Sequence, residues 1–220
     1  MAAEPHTARS LAKAERRSVL LTAAAGLFAA RGYSGVSMED LGAAAGVSGP
    51  AVYRHFPGKQ ALLGALLVGV SEDLLHGGQA VVDANADPGR CLQALIGFHV
   101  DFAVKKPDVI RVQDRDFDSL GTADRAAVRQ LQRRYVELWV QVLGRLFPDR
   151  PAAVRRLQAQ ATFGLINSTP HSAPLHRQQP AAAREVLASM AWAGLTSLES
   201  LQGQDHRRVG QHGTDLGQEE

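Results

Sequence analysis

The chain has 220 residues, 45% hydrophobic and only 5% aromatic, with 24 Lys/Arg, 22 Asp/Glu and a single cysteine. That composition supports a sizeable core and excludes a disordered chain, and one cysteine excludes both an internal disulfide and a Cys-cluster metal site. The net charge of +2 is unevenly placed: residues 1–60 hold seven Lys/Arg against four acids, and residues 61–220 hold 17 against 18. The basic excess therefore lies at the N-terminal end, where a nucleic-acid surface is expected.

Ala, Leu, Arg and Gln dominate while β-branched runs are scarce, which predicts helix throughout. Residues 1–8 read as a loose arm. Residues 9–31 read as a helix carrying Leu20, Ala23, Ala24, Leu27 and Phe28 at helical spacing, stopped by Gly32. Ser37 opens a second, short helix with Asp40 three residues on, and Gly46 ends it. Ser48 is expected to cap a third helix with Pro50 in its first turn, stopped after Phe56 by Pro57-Gly58. Two short helices joined by a tight Gly-containing turn have the layout of a helix-turn-helix. A fourth helix is predicted over 59–82. Further helices follow at 90–105, 108–116, 122–147, 151–168 and 180–201, with Pro and Gly clusters between them. Residues 203–220 read as a disordered polar tail.

At about 100° per residue, Val52 and Phe56 share the buried face of the third helix, and Arg54 points away with Pro50 and Ala51 beside it. A helix laid in a major groove would aim Arg54, Ala51 and Pro50 at base edges. Tyr53 and His55 would reach phosphates, and Lys59 would meet the backbone as a point charge. An ordinary surface helix would share this periodicity. The string Gly46-Val-Ser-x3-Val-Tyr-x-His-Phe-Pro-x-Lys-x3-Leu62, with Ala24-Gly-Leu-Phe-Ala-Ala-Arg-Gly-Tyr33 and Ser37-Met-Glu-Asp-Leu-Gly-Ala-Ala-Ala-Gly46 upstream, closely resembles the signature of the TetR family of bacterial transcriptional regulators. The resemblance covers residues 16–66.

It implies an all-α fold: an N-terminal three-helix helix-turn-helix domain (9–60), then a helical ligand-binding and dimerisation domain (61–202) before the tail. It implies DNA contacts from Ser37, Ser48, Ala51, Tyr53, Arg54, His55 and Lys59. The expected protein is a ligand-responsive repressor, a homodimer on palindromic double-stranded operator DNA, released by a small lipophilic effector. Gly49-Pro50-Ala51 offers few hydrogen-bonding side chains, so base reading would lean on Arg54 and on thymine methyls. Arg9, Lys13, Arg16 and Arg17 read either as a solvated face or as an arm that neutralises phosphates or enters the minor groove.

Beyond residue 66 the resemblance fades. Leu157, Gln160, Ala161, Gly164 and Ser168 share one helix face, and Leu187, Ala191, Gly194, Leu198 and Leu201 form a second stripe. Paired small-residue stripes suit a two-fold interface, or else an intramolecular core. On the opposite face, Phe163, Ile166 and Asn167 could meet His99, Phe102, Tyr135 and Trp139. A ligand pocket formed by His99, Phe102, Trp139, Phe163 and Asn167 and an ordinary aromatic core predict the same pattern. Asp114-Arg115-Asp116 and Arg133-Arg134 read as surface ion pairs in preference to ligand clamps. Cys91 reads as a small buried hydrophobe. No catalytic motif, cofactor loop or metal-ligand spacing occurs, so neither an enzyme nor a cofactor is expected. No signal-peptide layout is present, and the apolar stretches fall short of ~20 residues. A cytoplasmic protein with no membrane association is expected.

Overall fold

The computed structural model describes residues 5–171 and 179–197. In chain order the described helices are α1 (Pro5–Arg31), α2 (Met38–Ala44), α3 (Gly49–Tyr53), α4 (Lys59–Ala84), α5 (Pro88–Lys105), α6 (Pro107–Asp116), α7 (Thr122–Leu146), α8 (Ala152–Asn167) and α9 (Pro180–Thr196). Two single 3-10 turns follow α6 and α8, and the described residues contain no strand. The fold is all-α, as the composition predicts.

Prolines fix several starts. Pro88, Pro107 and Pro180 sit in the first turn of their helices, where the missing N–H costs no intrahelical bond. Asp87 caps α5 by accepting the Arg90 N–H at 2.8 Å. Pro5 likewise opens α1, so the helix begins four residues before the expected start and the arm over 5–8 is corrected to helix. Residues 1–4, the expected tail over 203–220 and the stripe residues Leu198 and Leu201 lie outside the described residues.

Two apolar clusters organise the packing. The first joins Leu20, Ala24 and Phe28 of α1 to Leu41, Val52, Phe56, Leu62 and Leu63, and extends to Val109 and Val112 of α6 and Val128 of α7. The second joins α5, α7, α8 and α9 around Trp139, Leu92, Leu95 and Leu143, with Cys91 fully buried in it. Residue 60 is therefore no break in the chain. It lies one residue inside a continuous helix α4, and the N-terminal head shares its core with α6 and α7. By length and composition α4 could cross a membrane, its most apolar 18 residues having a mean hydropathy of 1.2, but half of that window is buried inside the protein. It is the central helix of the body, packed mainly on α7.

Candidate nucleic-acid interface and buried cavity

Helix α2 starts from a closed capping box. The Ser37 hydroxyl accepts the Asp40 N–H at 3.0 Å, and the Asp40 carboxylate accepts the Ser37 N–H at 2.9 Å and its O–H at 2.7 Å. The Ser37 backbone N–H is the main reason the Asp40 pKa lies below its ordinary value. Gly46 then turns the chain with φ +67°. A side chain at Gly42 would meet the Val47 carbonyl oxygen at 2.8 Å and the Gly49 nitrogen at 3.1 Å, so only glycine lets α3 close onto α2. Helix α3 is shorter than predicted. Its regular part ends at Tyr53, and the turn continues only through the Val52 carbonyl, which accepts the His55 and Phe56 N–H groups at 2.9 and 3.0 Å. Val52 and Phe56 are buried as expected. Ser48 makes no side-chain cap bond, which leaves its exposed hydroxyl available.

The outer side of α3 borders a groove of 530 Å³ shared with α1, lined by Lys13, Arg16, Ala51, Arg54 and His55 among others. Three cations and the His55 ring thus line one concave surface, and Tyr53 is 52% exposed. Arg17 differs, its guanidinium lying 4.4 Å from the Phe56 ring centre as a lid on the core. Lys59 differs too. Its ammonium donates to the Val36 carbonyl at 2.8 Å and sits 4.5 Å from the Tyr33 ring centre, so it staples the α1–α2 loop to the start of α4 instead of standing free.

A cavity of 270 Å³ lies in the body, walled by α4, α5, α6, α7 and α8. Phe163 stands between His99 and Tyr135, with ring centres 4.8 and 5.5 Å away, and Phe102 lies 5.9 Å from His99. Gln113, Gln132, Gln160, Asn167 and Ser71 supply the polar wall, and no Asp, Glu, Lys or Arg lines it. The Tyr135 hydroxyl lies 3.3 Å from His99 Nδ1, while His99 Nε2 and Asn167 Oδ1 are buried without hydrogen-bond partners. Burial pulls the His99 pKa down to about 4, the nearby Asn167 amide offsetting a small part. The imidazole is therefore neutral at pH 7. Burial also raises the Tyr135 pKa, so the whole wall is uncharged.

Helix α6 touches both places. Val109, Ile110 and Gln113 line the cavity, and two residues on Arg115 donates to the Phe28 carbonyl and, at 3.4 Å, to the Ala29 carbonyl in the last turn of α1. Asp116, itself buried, accepts from the same guanidinium at 3.1 Å. The expected ion pairing within 114–116 is present but reaches further than a surface pair. Arg133 and Arg134, by contrast, make no ion pair among the described residues.

Leu157, Gln160, Ala161, Gly164 and Ser168 of α8 are all exposed, Leu157 by 66%. On α9 the stripe is rotated from the expected one. Ala191 is buried in the second cluster and Leu187 packs on it, while Val186, Ser189, Met190, Ala193 and Gly194 face outward. Added Cβ atoms at Gly164 and Gly194 meet nothing within 4 Å.

Comparison with known proteins places these features in one family. The sequence matches the bacterial regulatory proteins of the tetR family over residues 20–66, and the tetracyclin repressor-like C-terminal domain over residues 85–171, together more than half of the chain. The chain belongs to the TetR family. It is 28% identical over 132 residues to the HTH-type transcriptional repressor KstR2 of Rhodococcus jostii, spanning 60% of this chain and 65% of that one. It is 35% identical over 92 residues to the HTH-type transcriptional activator FasR of Mycolicibacterium smegmatis, spanning 42% of each. Both matches stop short of two thirds of the relative's length. A TetR-family regulator from Bordetella parapertussis shares the fold, with a TM-score of 0.73 over 85% of this chain and 96% of that one at 23% identity.

Within this TetR helix-turn-helix, Ala51, Arg54 and His55 line the groove with Lys13 and Arg16, while Ser48, Pro50 and Tyr53 are exposed but lie outside its lining. The minor-groove arm is corrected for the described residues: a helix ~10–12 Å across does not enter a groove ~6 Å wide. Of the expected cavity residues, His99, Phe102, Phe163 and Asn167 line the space. Trp139 does not. It is fully buried behind Phe163, ring centres 5.0 Å apart, because on α7 the cavity-facing positions are Gln132, Tyr135 and Val136. Gln113 and Gln132 were missed by sequence reasoning, and Gln160, assigned to the outer stripe, also borders the cavity. The spacing of Gln113 with Val109 and Ile110 was the available signal.

Proposed function

We propose that the protein is a ligand-responsive transcriptional repressor that binds a palindromic operator as a homodimer and is released by a small lipophilic effector held in the α4–α8 cavity. The observation that carries this reading is helix α6, which lines a neutral, aromatic-walled cavity on one side and holds the last carbonyls of α1 through Arg115 on the other. An occupant that moves α6 shifts α1, which borders the cationic groove with α3. The N-terminal residues of α3 lie over base edges, with Ser48 as hydrogen-bonding group and Pro50 and Ala51 as apolar contacts. Arg54, first expected at base edges, lines the α1–α3 groove beside Lys13 and Arg16 and is assigned with them and His55 to phosphates on the flank, with Tyr53 and Ser37 in support. Lys59, though held by the Val36 carbonyl, has two further N–H donors that can meet the backbone.

Two copies joined through α8 and α9 would present two α3 helices to successive major grooves, about 34–36 Å apart. Footprinting on the DNA upstream of the protein's own gene tests this. Two protected half-sites one helical turn apart are expected, and a single unpaired half-site would contradict the dimer. The 35% identity to an activator favours a second reading on sign alone, and deletion of the gene separates them: target transcription rises for a repressor and falls for an activator.

A further inference from the structure

A surface recess adjoins the neutral cavity. The recess has a volume of 390 Å³ and shares Gln132, Val136 and Gln160 with the cavity, and its other lining residues are Arg129, Arg133, Glu137 and Arg156. Three arginines and one carboxylate therefore line a recess that adjoins a cavity whose wall contains no ionised group. Glu137 accepts from Arg156 at 2.5 and 3.1 Å, which compensates one of the three charges. Arg129 lies 5.4 Å from the Phe117 ring centre, and Arg133 is exposed with no ion pair among the described residues. Two positive charges are left without a carboxylate partner at the junction.

The contrast between recess and cavity selects a ligand. An anion in the cavity would lose its hydration with no cation to replace it, since His99 stays neutral there. A wholly apolar molecule would leave the outer arginines unused. We infer that the effector is an amphiphile, its uncharged body in the aromatic cavity and an anionic head, carboxylate or phosphate, held in the outer recess by Arg133, Arg129 and Arg156. Arginine suits this role because its planar fork meets carboxylate or phosphate oxygens with two parallel hydrogen bonds. The inference rests on the cavity being the effector site and names the chemical class of what enters it. Glu137 adds a selective element: an anion that enters competes with it for Arg156 and repels it.

Three probes sharing one short chain separate the possibilities: octanol, octanoate and octanoyl-coenzyme A, each titrated into the full-length protein with tryptophan fluorescence or calorimetry as readout. At least one anionic probe is expected to bind about tenfold or more tighter than octanol, the effect of roughly 1.4 kcal/mol from charge-assisted bonds. The preference should shrink as salt is raised from low to physiological ionic strength. Octanoate preferred over the thioester identifies a carboxylate head, and the reverse identifies a phosphate-bearing one. In the Arg133→Gln/Arg156→Gln protein the anionic preference should fall to within about threefold of octanol while octanol itself binds as before. Equal binding of all three probes to the wild-type protein, or an anionic preference that survives the double substitution, overturns the anionic head and leaves the cavity reading standing. Binding of none of the three overturns both.

Discussion

Lys59 shows how a residue can answer to two demands at once. Its ammonium satisfies the Val36 carbonyl, a residue only 2% exposed, and rests on the Tyr33 face. Replacing it by alanine leaves a buried acceptor without its donor, at a cost of about 1–2 kcal/mol. Lys59→Ala is therefore expected to lower the melting temperature of the free protein as well as its DNA affinity. An unchanged melting temperature with weakened DNA binding would make Lys59 a pure backbone contact. His99 gives a second test at this scale. Its folded pKa of about 4 lies below the ordinary 6.5, so the unfolded chain binds more protons between those values. The stability conferred by keeping it neutral is complete above pH 6.5 and is lost as pH falls toward 4. Denaturation at pH 7 and pH 5 should differ by about 2 kcal/mol from this group, and His99→Gln should reduce the difference by that amount. A variant with the same pH dependence would show that His99 binds protons alike in the folded and unfolded chain, so that burial does not lower its pKa.

At the scale of elements, α6 is the piece whose role sequence reading left out. Its Pro start and its extent were legible from Pro107 and the apolar spacing. Its two contacts were not, because Arg115 reaches across 87 positions to the Phe28 carbonyl and no local pattern encodes that. Arg115→Ala is expected to loosen the last turn of α1. Hydrogen exchange should accelerate selectively at the C-terminal end of α1 and the 33–36 loop, with global stability lower by about 1.5–3 kcal/mol, the worth of a charged hydrogen bond. Uniform exchange across the chain would remove α6 as the link between body and head. The α3 helix was legible in position and face, since Val52 and Phe56 are buried as their spacing required. Its length was overestimated because Phe56 keeps helical spacing, and one helical bond to Val52, beyond the regular helix that ends at Tyr53. On α9 the same reasoning picked the wrong face. Small residues occur all round this helix, so Ala191 and Ala193 look alike in sequence, and only packing against α5 and α8 decides that Ala191 goes in.

For the whole molecule, that rotated face changes which substitutions test the dimer. Gly164→Arg and Gly194→Arg place charge on open, outward positions and should yield a folded monomer with lost operator binding. Ala191→Arg forces a charge into a site 1% exposed and should instead prevent folding, since a buried unpaired charge costs several kcal/mol. Sedimentation and circular dichroism distinguish the two results. A tight dimer in both glycine variants would move the interface elsewhere. If the α1–α3 groove grips double-stranded DNA through Arg16 and Arg54, operator affinity must fall with salt in a way that depends on both. Fluorescence anisotropy with a duplex from the protein's own upstream region should give a steep loss of affinity with rising salt. The Arg16→Ala/Arg54→Ala protein should lose affinity for specific and scrambled duplexes alike, with a salt slope shallower by about three to four for a dimer carrying four such contacts. A double variant with the wild-type slope and affinity would mean that DNA is held elsewhere on the protein.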